Sequence, residues 1–412
     1  MKALKEIGML IILIIIFGII YWGVEPLAHS VMYPKTAPAD YQYRDLDRLG
    51  KIDLSHGDVA KGKMIATSTC AACHGIHSQG IKAPNSNADA AAAFGVVPPD
   101  LSDVGLIYDH KYLAHFIKDP VRANRLTAKF QTSCSGLTGE EAAKCAEFNK
   151  GKPSFPMPSA DGLGLSNADI ADLVAYFASI APKALSDKEV FKNACERCHS
   201  VNYDKGQYDE YFGKEVGQKL KSHYGEGLQA LTPSDDVAKY LGAHAPDLSM
   251  MIRVKGIDGL AKFINNPQNV PLEDIKKNII SKLVKEAQNK EIKALPANLD
   301  KKDMDAKINA IQAKTASDYG IKLPANTMKD AYQSEDDYTN MALSMDAMPI
   351  GKSMPRVGLT KAAEVQVVNY LQKVGDSKKD QRDSLGIKIM IFFIILAILA
   401  FIWKIKIWKD IH

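Results

Sequence analysis

One five-residue pattern occurs twice in this chain, as "CAACH" at 70–74 and "CERCH" at 195–199. Two cysteines separated by two residues suit a redox pair or half a zinc site, but a histidine directly after the second cysteine points to covalent haem attachment. In such a site Cys70 and Cys73 add to the haem vinyl groups while His74 reaches the iron. Cys195, Cys198 and His199 form the second set, so the sequence implies two covalently bound haem c groups.

The segment downstream of each string recurs as well, which makes the chain two statements of one unit. "PDLSDVGLIYDHKYLAHFIKDP" runs from Pro99 to Pro120 and "PDLSMMIRVKGIDGLAKFINNP" from Pro246 to Pro267. Leu113, Phe116 and Ile117, like Leu260, Phe263 and Ile264, have helical apolar spacing, and the closing proline is expected to stop each helix. A third pair of segments carries a Met-Pro and then an amphipathic helix. Ser166 with Asp169, and Thr360 with Glu364 in its first turn, are the expected starts of those closing helices.

The sixth position on each iron needs a ligand, and a thioether there raises the reduction potential relative to a second imidazole. Met157, between Pro156 and Pro158, is the candidate in the first copy, because the prolines stiffen its loop. The second copy offers Met345, Met348 and Met354. Met354 lies closest to the closing helix and is preferred, with Met348 as its alternative and His223 or His244 as imidazole alternatives. His56, His77, His110 and His115 read as surface or packed residues.

The two ends are apolar. Residues 7–24 carry no charge and residues 385–403 carry only Lys388; each approaches the roughly 20 residues that span a bilayer. Lys2 and Lys5 precede the first, and Lys404, Lys406 and Lys409 lie beyond the second. The positive-inside rule then places both ends in the cytoplasm and the intervening chain outside it. A cleaved signal segment is the alternative reading of the N-terminus. Residues 25–185 hold 16 basic and 17 acidic side chains and residues 186–384 hold 30 and 29, so the formal net charge of +4 arises in the tails. That balance gives a nucleic-acid partner no support.

Cys134 and Cys145 remain outside the haem strings and are expected to form a structural disulfide. Thr138 and Glu141, between them, have the spacing of a capping box. The large difference between the copies is residues 268–345. There Ile275, Ile279 and Leu283, then Met304, Ile308 and Ile311, mark two amphipathic helices. They are read as a helical excursion packed on the second unit, or as a segment that docks another subunit or shields an iron.

The order CxxCH, P-D-L-S helix, Met-Pro, closing helix resembles two tandem class I cytochrome c domains. "GDVAKGKMIATSTCAACH" resembles the opening of such a domain, although Ala66 stands where an aromatic residue is common; Phe191 fills that place in the second copy. With its two apolar ends, the whole chain is similar to the dihaem cytochrome c1 family of bacterial cytochrome bc complexes. The resemblance implies an all-α fold: a transmembrane or signal segment at 1–24, a linker at 25–56, cytochrome c domains at 57–183 and 184–376, a transmembrane helix at 385–403 and a basic tail at 404–412. It assigns the backbone carbonyls of Pro99 and Pro246 to hold the ligating imidazoles. It also implies a non-catalytic electron carrier in the bacterial inner membrane, with a Rieske iron-sulfur protein and a cytochrome b as donors and a periplasmic cytochrome c or terminal oxidase as acceptor. The dihaem c subunit of a terminal oxidase and a dihaem peroxidase are the alternatives.

Overall fold

A computed structural model describes residues 2–32, 41–135, 137–204, 227–265, 272–296, 301–321, 354–376 and 378–411. Among these the architecture is helical, with isolated two-residue bridges and no extended strand. At the N-terminus α1 (Lys2–Ile19) continues through a π-helical turn (Ile20–Val24) into α2 (Glu25–Met32). At the other end α16 (Lys379–Ile411) is continuous. Within them Gly8–Ala28 and Gln381–Lys409 are long and apolar enough to cross a membrane, by length and composition. Their apolar side chains are exposed, as a helix facing lipid requires.

The first copy contains α3 (Val59–Ser68), α4 (Asn87–Phe94), α5 (Val104–Ile107), α6 (His110–Lys118), α7 (Pro120–Ala123), α8 (Gly139–Asn149) and α9 (Asn167–Ile180). Helix α3 starts where the Asp58 carboxylate accepts the backbone N–H groups of Ala60 and Lys61. Helix α9 starts at the capping box of Ser166 and Asp169. The two cross closely because α3 presents small residues: a Cβ on Gly62 would lie 2.0 Å from the Asp172 carbonyl oxygen. Ala66, fully buried, keeps the same crossing tight. Pro120 does more than stop α6. As the first residue of α7 it restarts the chain as a helix, with Asp119 as N-cap. Thr138 precedes α8 but makes no side-chain cap bond. Gly139 enters that helix at φ 56°, which breaks the geometry a capping box with Glu141 requires.

The second copy uses α10 (Asp187–Cys195), α11 (Ser234–Leu241), α12 (Met251–Asn265) and α15 (Lys361–Gly375), with α12 broken at Gly256 (φ 69°). Here α10 packs on α15 through an aromatic contact, Phe191 against Tyr370 at 4.7 Å between ring centres. Thr360 caps α15 by accepting the Ala363 N–H. In the excursion, α13 (Leu272–Lys293) and α14 (Lys301–Ile321) pack on each other, and Ile275 and Ile279 are fully buried.

The two copies share one hydrophobic core, which runs from Tyr43 to Leu371. Residues 41–49 therefore belong to the folded body and are more than a linker: Tyr43 is fully buried and its hydroxyl donates to the Leu359 carbonyl at 2.8 Å. Residues 356–360 are stitched to the first copy. Asp109 N–H donates to the Gly358 carbonyl (3.1 Å), Thr360 N–H to the Ile107 carbonyl (3.0 Å) and Arg356 N–H to the Asn124 carbonyl (3.2 Å). Arg356, 3% exposed, reaches Asp45 at 2.8 Å and donates twice more to the Ala123 carbonyl, at 2.9 and 2.7 Å. A second contact joins Val121, Leu126 and Phe130 of the first copy to Val237 and Leu241 of the second.

Candidate haem sites

Each CxxCH string lies at the end of a helix and closes on itself. His74 N–H donates to the Cys70 carbonyl at 3.0 Å, and His199 N–H to the Cys195 carbonyl at 3.0 Å. Cys73 and Cys198 N–H groups bond the same carbonyls at 3.2 and 3.1 Å. One turn geometry thus presents two thiols and one imidazole in both copies. All four thiols are free of disulfides.

The P-D-L-S segments supply the rest of the geometry, residue by residue. The Pro99 carbonyl accepts from His74 Nδ1 at 2.8 Å and the Pro246 carbonyl from His199 Nδ1 at 2.9 Å. A carbonyl only accepts, so the proton sits on Nδ1 and Nε2 is left with its lone pair for a metal. The Asp100 carboxylate accepts the His77 N–H at 3.1 Å, as Asp247 accepts that of Asn202 at 3.0 Å. Leu101 N–H donates to the Gly75 carbonyl (2.8 Å), as Leu248 N–H does to that of Ser200 (2.9 Å). Ser102 Oγ takes the Ser78 N–H at 2.9 Å and Ser249 Oγ that of Tyr203 at 3.0 Å. Four consecutive residues therefore clamp the five that begin at the ligating histidine, identically in two places. The repetition of the motif carries that signal in the sequence, although only its proline is assigned a part there.

Burial sets the electrostatics. It pushes the Cys70 thiol up to about 11, with Cys73 adding to it, and the Cys195 thiol up to about 12 against the pull of Arg197. Cys198 is raised for the same reason. These are protonated thiols, unlike the low-pKa thiolates of a redox-active CxxC pair. Burial lowers His74 and His199, with the proline carbonyls opposing it, so both imidazoles are held neutral as metal binding requires. Among the described residues, no group of three or more His, Cys, Asp and Glu side chains is placed to hold a metal ion by itself. Paired thiols beside a neutral, oriented imidazole fit haem c in both places.

Met157 is half-buried and packs against the main core, in the loop that runs into α9. Ala160, three residues on, is tied back to the Lys118 carbonyl at 3.2 Å. Met354 is half-buried, two residues before the anchored Arg356. Met348 and His223 lie outside the described residues. His244 is exposed, and its Nδ1 sits 3.0 Å from Ser234 Oγ. His115 is packed between the Lys111 and Gly50 carbonyls at 2.7 and 3.1 Å. Cys134 and Cys145 are joined in a disulfide across 11 residues. It closes the loop ahead of α8, where Asn149 Nδ2 also donates to the Thr132 carbonyl at 2.8 Å.

Residues 59–181 match the family model for cytochrome c, from the first residue of α3 to the residue after α9. No curated protein and no solved structure matches the chain. Residues 59–181 are therefore a class I cytochrome c domain, of a family that binds haem c covalently and transfers electrons.

Proposed function

We propose that this cytochrome c domain is one of two in a membrane-anchored dihaem electron relay, which passes single electrons from the Rieske and cytochrome b part of a quinol–cytochrome c reductase to a periplasmic cytochrome c or oxidase. The observation that carries it is the identity of the two sites: His199 is held by Pro246 at 2.9 Å as His74 is by Pro99 at 2.8 Å. Haem bound at each site supplies a one-electron iron couple. The chain fixes the imidazole plane through the proline carbonyls and offers Met157 and Met354 as thioethers that favour a high potential. Were Met157 and Met354 to hold the two irons, no position would be left open for peroxide, which would separate this reading from a peroxidase. The two apolar end helices, with lysines beyond each, support anchoring with the haem domains on the periplasmic side and both termini in the cytoplasm.

The test is purification in mild detergent with identification of the accompanying subunits by mass spectrometry. A Rieske protein and a cytochrome b are the expected companions. Copurification with oxidase subunits alone, or a haem that binds peroxide, would overturn the assignment.

A further inference from the structure

The second attachment string carries two charges where the first has alanines: the buried Glu196 in place of Ala71, and Arg197. Arg197 lies between Cys195 and Cys198, where the first string has Ala72. Its carbonyl accepts the Thr232 N–H at 3.1 Å. Its guanidinium charge acts on Tyr108, Tyr112 and His74 of the other copy. Tyr240, another group it faces, packs on Phe130 and Phe155 of the first copy, with ring centres 5.3 and 6.0 Å apart. Cys198 adjoins that same cluster, and Phe155 is two residues from Met157. Arg197 thus stands where the second haem string meets the ligand loop of the first.

Its Nε is buried and has no hydrogen-bond partner. Arg197 as a whole is half-buried, whereas Arg356, fully buried between the copies, has its charge answered by Asp45 at 2.8 Å. Around Arg197 the strongest electrostatic partners are phenols and a thiol: Tyr108, Cys198, Tyr240 and Tyr112. A guanidinium stays protonated, and out of water it requires an anion. Haem c carries two carboxylates, on the edge of the macrocycle opposite the carbons that the cysteines take. Arg197 sits between the cysteines of the second site, at the edge where the second haem has none.

We propose that Arg197 binds a carboxylate of the first haem, and so is a fixed positive charge shared by the two haem sites. This rests on the dihaem reading above. A cation there favours the reduced, less positive iron, and its loss also leaves the first haem's carboxylate uncompensated. Both effects lower the potential, most at the first haem.

The experiment is a potentiometric titration of the full-length, detergent-purified protein as wild type, Arg197→Gln and Arg197→Lys, with covalent haem counted in each sample. Met157→His, which moves the first couple alone, assigns the two waves. Arg197→Gln is expected to weaken reduction of the first haem about tenfold, which is 59 mV for a one-electron couple, with a smaller fall at the second. Arg197→Lys keeps the charge but not the fork, and is expected to fall in between. Two bound haems with both potentials unmoved would overturn the proposal, as would a shift confined to the second couple. Should Arg197→Gln lose haem, Arg197→Lys decides: a first couple at the wild-type potential refutes the contact, and a lowered one supports it. A wild-type chain with a single haem would instead refute the reading on which the proposal rests.

Discussion

Replacing Arg356 with alanine is expected to cost the folded protein about 3–5 kcal/mol, the usual result of leaving one member of a buried ion pair behind. The structure shows what would be stranded. Asp45 loses the guanidinium 2.8 Å away, and the Ala123 carbonyl loses two donors at 2.9 and 2.7 Å. Burial alone would raise the Asp45 carboxyl, but Arg356, with help from Arg125, brings it below the ordinary carboxylate value. A carboxylate depressed in the folded state adds stability above its unfolded pKa of about 3.9, and that stability is lost as pH falls through the lower folded value. Without Arg356 the burial effect prevails and the sign reverses: Asp45 then destabilises the fold at neutral pH, and protonation relieves it. The deficit of Arg356→Ala relative to wild type should therefore shrink as pH falls from 7 towards 4. Urea titrations of the purified chain followed by circular dichroism measure both effects. Arg356→Lys, which keeps the charge but cannot span Asp45 and Ala123 together, should lose less. A cost for Arg356→Ala below about 1 kcal/mol, the range of a solvent-exposed pair, would refute the claim that this residue welds the two copies.

Three other perturbations have outcomes set by the same geometry. Gly62→Ala places a methyl 2.0 Å from the Asp172 carbonyl and 2.8 Å from Tyr176 Cβ, so α3 and α9 must separate; about 1–3 kcal/mol should be lost, read from the urea midpoint. Removing the disulfide with Cys134→Ala and Cys145→Ala should cost about 2–3 kcal/mol and leave the haem absorbance unchanged, while dithiothreitol brings the wild type down to the variant's stability. Met157→His should lower one of two potentials by a substantial part of the roughly 0.8 V that axial ligands command, leaving the second couple in place.

The parts of this molecule that are legible in its sequence are those with a short-range cause. The Ser166–Asp169 cap, the start of α15 at Thr360 and the apolar stripes of α6 and α12 all depend on residues within a turn or two of each other. The proline carbonyls are legible by resemblance, and the repeat locates both of them. The joining of the copies is hidden. Tyr43 meets Leu359 across 316 positions, and Arg356 meets Asp45 across 311. No periodicity or spacing links residues so far apart, and residues 41–49 look like a polar connector because their fully buried members, Tyr43 and Leu46, stand among charges. The same limit conceals Arg197. In the sequence it is the variable position of a CxxCH string; only the fold shows that its charge lies against the other copy.

The most direct test of the dihaem assignment is the covalent haem content of the purified chain, by intact mass and by mapping the modified peptides. Two haems per chain, one on Cys70 and Cys73 and one on Cys195 and Cys198, is the predicted result. A single haem, with Cys195 and Cys198 recovered as free thiols, would contradict it.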